Sequence, residues 1–266
     1  MSIPNHTDWT DYPDSTVYMS SRDNYTASEL SFYGEASAVF TEASGSTVDK
    51  LQTFTRFVPR QAIATFMARQ HLFNLVKNVH GYIIECGVFR GSGLFAWGQL
   101  SAIYEPYNHT RRIIGFDSFS GFSGLSKEDG DTSDLPYKQV GGLSCNPKDE
   151  IERSIQAYDK NRFISQIPRI ELVEGDAVTT IPHYVDNNNH LIIALLYLDF
   201  DVYEPTRIAI ENFWPRMPIG SVIAFDELNQ KQWPGETQAL MDTLSVGSLE
   251  IKRFDFNPQI SYAVKK

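Results

Sequence analysis

The chain has 266 residues, 42% hydrophobic and 21% charged, which suits one large α/β domain and leaves little for a second. Its 33 acidic residues outweigh 23 basic ones, for a formal charge of -10, which excludes an electrostatic footprint for DNA or RNA and a polybasic membrane patch. The longest apolar run, 191–198, is too short for a membrane span; the first 14 residues lack the basic start and apolar stretch of a secretory signal; two cysteines make no disulfide framework; a cytoplasmic protein is therefore expected.

Residues 1–56 are rich in Ser, Thr, Asp and Tyr and are expected to form an irregular or partly helical extension before a main domain at 57–266. Trp9, Tyr12, Tyr18, Tyr25, Phe32, Tyr33 and Phe40 argue against disorder there. They suggest packing on the main domain or on a partner chain, which in the second case would make a homo-oligomer. Over 60–79, Ile63, Phe66, Met67, Leu72, Leu75 and Val76 recur at helical spacing, so an amphipathic helix leads into the core. Alternation follows: strand 82–86, helix 93–103, strand 112–116, helix 148–158, strand 169–173, strand 191–198, helix 204–213, strand 221–225 and helix 235–244. The apolar run 191–198 reads as a central parallel strand covered on both faces. The long polar segment 118–146, rich in Gly, Ser and Asp, has the make-up of a lid or binding loop. Two closing strands, 251–256 and 260–264, lie three residues apart, which permits a hairpin and forbids a helical crossover. The expected fold is a Rossmann-like α/β parallel sheet with a C-terminal antiparallel hairpin.

Ligands of an open α/β sheet sit at the carboxyl ends of its strands. Those ends carry Glu85, Asp117, Asp176, Asp199 and Asp226, a row of acids that repel one another unless they bind something. The first strand enters the turn Gly87-Val88-Phe89-Arg90-Gly91-Ser92-Gly93, whose glycines allow tight turning and close approach to a ligand. Its spacing is not Gly-x-Gly-x-x-Gly. The carboxylate at Glu85 would repel a phosphate but pair with the α-amino group of a methionine moiety. Asp117 closes the second strand and can accept both ribose hydroxyls, with Ser118 beside it. An adenosyl ligand with no phosphates satisfies both observations, and Gly175-Asp176 would then meet the adenine edge. The next strands end at Asp199 with Asp201 and at Asp226-Glu227. Such an all-oxygen donor set suits Mg²⁺. Helix capping competes with that reading, most strongly for Asp201 with Glu204. The six histidines form no His-x-x-x-His pattern, which argues against zinc and leaves His183 or His190 as alternative bases.

Four segments in this order, Ile84-Glu-Cys-Gly-Val-Phe-Arg-Gly-Ser-Gly93, Gly115-Phe-Asp-Ser-Phe-Ser-Gly121, Leu198-Asp-Phe-Asp-Val-Tyr-Glu-Pro-Thr206 and Phe225-Asp-Glu227, resemble the macrocin O-methyltransferase (TylF-type) family over about residues 60–266. Trp233-Pro-Gly-Glu-Thr237 is similar to relatives acting on nucleotide-linked deoxyhexoses at the 3-hydroxyl. The resemblance implies a class I methyltransferase that uses S-adenosylmethionine to methylate a hydroxyl of a sugar or sugar-nucleotide. It implies that Glu85 and the Gly87 to Gly93 turn hold the methionine part and Asp117 the ribose. Asp199, Asp226 and Glu227 fall on Mg²⁺-ligand positions, with Asp199 also the general base and Asp201 its rival. The family commonly has Asp-Asp where this chain has Asp226-Glu227, so any metal geometry shifts or the site is metal-free. A cation-dependent methyltransferase of a phenol or catechol would use the same acids. A nicotinamide-dependent oxidoreductase is disfavoured by the glycine spacing and the hairpin, and a non-catalytic adenosylmethionine-binding protein by the intact Asp199 and Asp226.

Overall fold

A computed structural model describes residues 27–131 and 137–266. The chain divides into two compact units, residues 1–63 and 64–266. In the first, helix α1 (Ala27–Glu42) occupies much of the stretch expected to be irregular or partly helical, and α2 (Thr47–Gln52) follows. Ser46 starts α2 with a reciprocal cap: its hydroxyl accepts from the Asp49 N–H at 3.2 Å, and the Asp49 carboxylate accepts from the Ser46 N–H at 2.8 Å. Phe32, Tyr33 and Phe40 lie on α1, whereas Trp9, Tyr12, Tyr18 and Tyr25 lie outside the described residues. Helix α3 (Arg60–Val76) buries Ala68, Arg69, Leu72, Phe73 and Val76, while Phe66, Met67 and Leu75 are exposed. The buried stripe therefore differs from the expected one: a large cation, Arg69, sits in it.

The second unit is built on a seven-stranded sheet of order β3-β2-β1-β4-β5-β7-β6. The strands are β1 (Tyr82–Cys86), β2 (Ile113–Asp117), β3 (Ile170–Glu174), β4 (Ile193–Leu198), β5 (Val222–Phe225), β6 (Lys252–Arg253) and β7 (Ser261–Val264). Strands β1 to β5 are parallel, and β7 runs antiparallel to both β5 and β6. Helices α4 (Ser92–Tyr104), α5 (Lys148–Asp159), α6 (Ala177–Asn187), α7 (Tyr203–Phe213) and α8 (Pro234–Thr243) complete the unit. Every residue of β4 is buried, as its apolar run requires of a strand flanked by β1 and β5. Its side chains alternate between two apolar layers: Leu195 and Tyr197 pack with Trp97 and Leu72, and Leu196 and Leu198 pack with Phe116 and Phe213. Each such side chain contributes roughly 1.5–3 kcal/mol of burial.

Two elements differ from the sequence pattern. Helix α6 fills a stretch with no expected element: Pro182 lies inside it and reads as a breaker, although Ala177, Ile181, Tyr184 and Val185 are buried at helical spacing. Strand β6 keeps two residues of the six expected. Phe254 leaves the strand to stack on Tyr262 at 5.1 Å, and buried Asn257 donates to the Thr65 hydroxyl at 3.1 Å. Among the described residues no helix is long and apolar enough to cross a membrane.

Candidate active site

The carboxyl ends of β1, β2 and β3 place the residues expected to hold a cofactor. Gly87 leaves β1 at φ 93°, and a Cβ there would overlap the Asp199 carbonyl at the end of β4. This glycine lets two strand ends lie side by side. Phe89 is held at φ 50°, a strained value for a bulky residue. The strain is offset by Asp117, whose Oδ2 accepts from the Val88 and Phe89 N–H groups, both at 2.8 Å. Asp117 Oδ1 accepts from the Phe119 N–H at 2.7 Å. An ionised carboxylate has about four acceptor positions, so Asp117 keeps about one for a ribose hydroxyl rather than the two expected. Arg90 is exposed, Gly91 precedes α4 in the left-handed conformation, and Ser92 begins the helix. Ser118 Oγ donates to the Gly121 carbonyl at 2.7 Å, which shapes the next turn. At the end of β3, Gly175 has φ 128°, and Asp176 caps α6 through the Val178 N–H at 3.0 Å. One Asp176 oxygen is thereby committed to the helix.

Glu85 is 1% exposed, and burial pushes its carboxyl up to about 7 despite the opposing pull of Arg69. Arg69 Nη2 stands 3.6 Å from Glu85 Oε1. A Cβ on Gly93 would overlap that same oxygen, so Gly93 makes room for the carboxylate. Glu85 Oε2 has no hydrogen-bond partner among the described residues. A buried orphan acceptor beside a glycine turn fits the ammonium of a methionine moiety.

The ends of β4 and β5 carry the second half of the rim. Asp199, Asp201 and Asp226 are half-buried and Glu227 is buried. Desolvation by the surrounding protein, then Asp226 and Asp201, raises Asp199 well above the usual carboxylate range. Asp201 is pushed up to about 7 by burial and then by Asp226, with Lys138 opposing, and Glu227 to about 10 by burial and then by Asp226 and Asp201. Neither Asp199 nor Asp201 caps a helix: the cap of α7 is Val202, without a side-chain bond. Asp201 instead sits at φ 62°, a strained conformation of the kind found at working sites. The Tyr197 hydroxyl donates to Asp226 Oδ1 at 2.5 Å. Among the described residues no three His, Cys, Asp or Glu side chains are gathered as a metal cage. His190 lies at the opposite rim beside Tyr82, at 3.4 Å, and His183 is on α6 near Asn187.

The described parts of segment 118–146, residues 118–131 and 137–146, are braced to this half of the rim. Buried Asp129 accepts from the Tyr203 N–H at 2.7 Å through Oδ1 and from the Ser126 N–H at 2.7 Å through Oδ2. Lys138, 2% exposed, donates to the Asp129 carbonyl and to the Gln232 carbonyl at 2.7 Å, and lies 5.1 Å from the centre of the Trp233 ring. Trp233 also packs on Phe122 and Tyr137. Glu236 Oε1 accepts from the Glu227 N–H at 2.9 Å, and Thr237 Oγ1 from the Asn229 N–H at 2.9 Å. The Trp233 to Thr237 motif thus ties the segment and the Asp226-Glu227 turn together. Arg69 and Lys138 escape a motif reading, and so does the Tyr203 contact of Asp129, since the partners Glu85, Gln232 and Tyr203 are distant in sequence; the Ser126 cap of Asp129 is the local part. For Arg69 the available signal is its place on the helical stripe of Leu72 and Val76.

The family model of macrocin O-methyltransferase (TylF) matches residues 58–242, spanning β1 to α8 and both halves of the rim. The chain belongs to the macrocin O-methyltransferase family. Similar to it at 30% identity is the crystal structure of CalS11, a calicheamicin methyltransferase, with a TM-score of 0.86 over 90% of this chain and 93% of that one. The O-methyltransferase NovP, at 18% identity and a TM-score of 0.61 over 77% and 80% of the two chains, shares the fold. A tetracenomycin rhamnosyl 4'-O-methyltransferase of Streptomyces olivaceus is 26% identical over 160 residues, 58% of this chain and 55% of that protein. Demethyldecarbamoylnovobiocin O-methyltransferase of Streptomyces niveus is 24% identical over 153 residues, 57% and 54%. The chain therefore matches just over half the length of these curated relatives. The family places the sheet and its antiparallel closing strands among class I methyltransferases.

Proposed function

We propose that this protein transfers a methyl group from S-adenosylmethionine to a hydroxyl of a small, sugar-containing molecule, most specifically a nucleotide-linked deoxyhexose. The observation that carries the reading is the division of the rim. A glycine turn and a buried carboxylate with one unpaired oxygen stand at the end of β1, and acids of raised basicity, half-buried Asp199 and Asp201 and buried Glu227, follow β4 and β5. Kinship supports the substrate class, because CalS11 is a TDP-rhamnose 3'-O-methyltransferase and the Streptomyces olivaceus relative methylates a rhamnosyl group.

When bound, S-adenosylmethionine supplies a methyl on a sulfonium, the carbon–sulfur bond breaking as the oxygen–carbon bond forms. Glu85 orients the ammonium, Asp117 offers its remaining acceptor position to the ribose, and Gly175-Asp176 borders the adenine. Asp199 accepts the hydroxyl proton, or Asp201 does from two residues further on; burial, and then the neighbouring acids, make both stronger bases than a solvated carboxylate. Holding the two reactants in line removes much of the entropic barrier, and the polar segment 118–146 is assigned the exclusion of water from the acceptor. Asp199, Asp226 and Glu227 have the oxygen chemistry Mg²⁺ prefers. They are not gathered as a cage, so the proton transfer above is assigned to the carboxylates alone.

Titration calorimetry with S-adenosylhomocysteine and NAD, then mass spectrometry of TDP-rhamnose, other nucleotide-sugars and catechols incubated with S-adenosylmethionine, tests the reading. Binding of the homocysteine derivative and a gain of one methyl on a nucleotide-sugar are expected. Tighter binding of NAD overturns the reading, and methylation of catechols alone moves the acceptor to phenols.

A further inference from the structure

We propose that Arg69, on α3 and outside every strand-end motif, is a positioning residue for the cofactor. Its buried guanidinium fixes Glu85 for the ammonium of the methionine moiety and braces the acceptor-side acid Asp226 through Tyr197. The proposal rests on the methyltransferase reading above.

Arg69 is 6% exposed. Its guanidinium carbon lies 4.8 Å from the centre of the Tyr197 ring and 5.9 Å from that of Trp97, with Nη2 directed to Glu85 at 3.6 Å. Glu85 on β1 and Tyr197 on β4 are register partners, and Tyr197 is the partner of Ala224 on β5. Side chains two residues apart on a strand share a face. The small Ala224 therefore lets the phenol pass over β5 to Asp226, two residues on, where its hydroxyl donates at 2.5 Å. One polar row thus crosses three strands, from the cofactor half of the rim to the acceptor half, and Arg69 packs on its middle. One acceptor of that row, Glu85 Oε2, has no hydrogen-bond partner among the described residues. Buried polar atoms in a finished network are paired, so the row is incomplete without a ligand at Glu85. Gly93, whose missing side chain leaves space for both Glu85 and Arg69 Nη2, holds the pair where the turn begins α4.

A purely structural ion pair would affect stability alone, whereas a positioning residue sets cofactor affinity. The test is calorimetric titration of S-adenosylhomocysteine into the wild type, Arg69→Met, Arg69→Lys, Glu85→Gln and the Arg69→Met/Glu85→Gln double variant, with thermal unfolding recorded for each. Arg69→Met should weaken binding by about tenfold or more, within the range of about 5- to 150-fold typical of coupled sites. Arg69→Lys should recover part of the loss, since an ammonium keeps the charge but not the planar stack on Tyr197. In the Glu85→Gln background the same Arg69→Met change should cost little, because it acts through Glu85. Wild-type affinity in Arg69→Met, or additive losses in the double variant, overturns the proposal while leaving the function intact. If Arg69→Met does not fold, Arg69→Lys decides: unchanged affinity overturns the proposal, and a several-fold loss sustains it. A wild-type protein that fails to bind S-adenosylhomocysteine overturns the methyltransferase reading, and this proposal with it.

Discussion

Replacing Glu85 by Gln removes a titrating group from the interior without changing its volume. Burial holds the Glu85 carboxyl near 7 against an ordinary 4.5, with Arg69 and Trp97 opposing and Asp226 and Asp117 adding to the rise. Below pH 4.5 the group carries its proton in both the folded and the unfolded chain. Between 4.5 and about 7 the unfolded chain has released the proton and the folded one has not. The unfolded state then binds fewer protons, so stability falls as pH rises. Above 7 the loss is complete. At 1.36 kcal/mol per pH unit, the gap corresponds to on the order of 3 kcal/mol. For a domain of this size that is roughly 6–12 °C in Tm. The assay is thermal unfolding of cofactor-free wild type and Glu85→Gln at pH 5 and pH 8. Asp201 and Glu227 titrate in both proteins and tilt both curves alike, and Arg69 keeps its charge across the range. Part of the loss has occurred by pH 5, so the wild type should lose about 5–10 °C more than the variant between the two pH values. Saturating S-adenosylhomocysteine, whose ammonium favours the ionised carboxylate, should flatten the wild-type curve. Parallel curves for the two cofactor-free proteins would refute the assignment of a buried, proton-retaining Glu85.

Asp199→Asn should lower methyl transfer on the order of 10²- to 10⁴-fold in a product-formation assay, with S-adenosylhomocysteine affinity unchanged, since the cofactor contacts lie on other strands. An active Asp199→Asn beside an inactive Asp201→Asn would move the base by two residues, and activity in both would remove the carboxylate base. Tyr197→Phe deletes the hydrogen bond to Asp226 and should cut kcat about tenfold without changing cofactor affinity; an unchanged kcat would count against a role for that bond. Gly235→Ala would push a methyl into Asp129 and to 2.6 Å from the Tyr203 nitrogen, so a loss of about 1–3 kcal/mol and faster proteolysis within 118–146 are expected. Wild-type protease resistance would show that Asp129 does not hold that segment.

Hydrophobic periodicity and turn chemistry made the sheet legible in the sequence. The all-apolar β4 could only be central, and the short gap before β7 could only reverse the chain. The acids that end β1, β2, β4 and β5 were legible for the same reason, since position along a parallel strand is position on the rim. What each acid does was decided by tertiary neighbours. Asp117 spends three acceptor positions on backbone N–H groups brought from β1 and its own turn. Asp176 turns to cap a helix that Pro182 hides from the pattern. Gly87 and Gly93, expected to admit a ligand, also make room for the Asp199 carbonyl and the Glu85 carboxylate. Arg69 and Lys138 carry little local signal, and Asp129 only its Ser126 cap three residues before it, because a buried charge is explained by the partner that neutralises or solvates it. The distant partners, Glu85 for Arg69, Tyr203 for Asp129 and Gln232 for Lys138, are brought close by the sheet order and the packing of the chain around the rim, from positions 16 to 94 residues away.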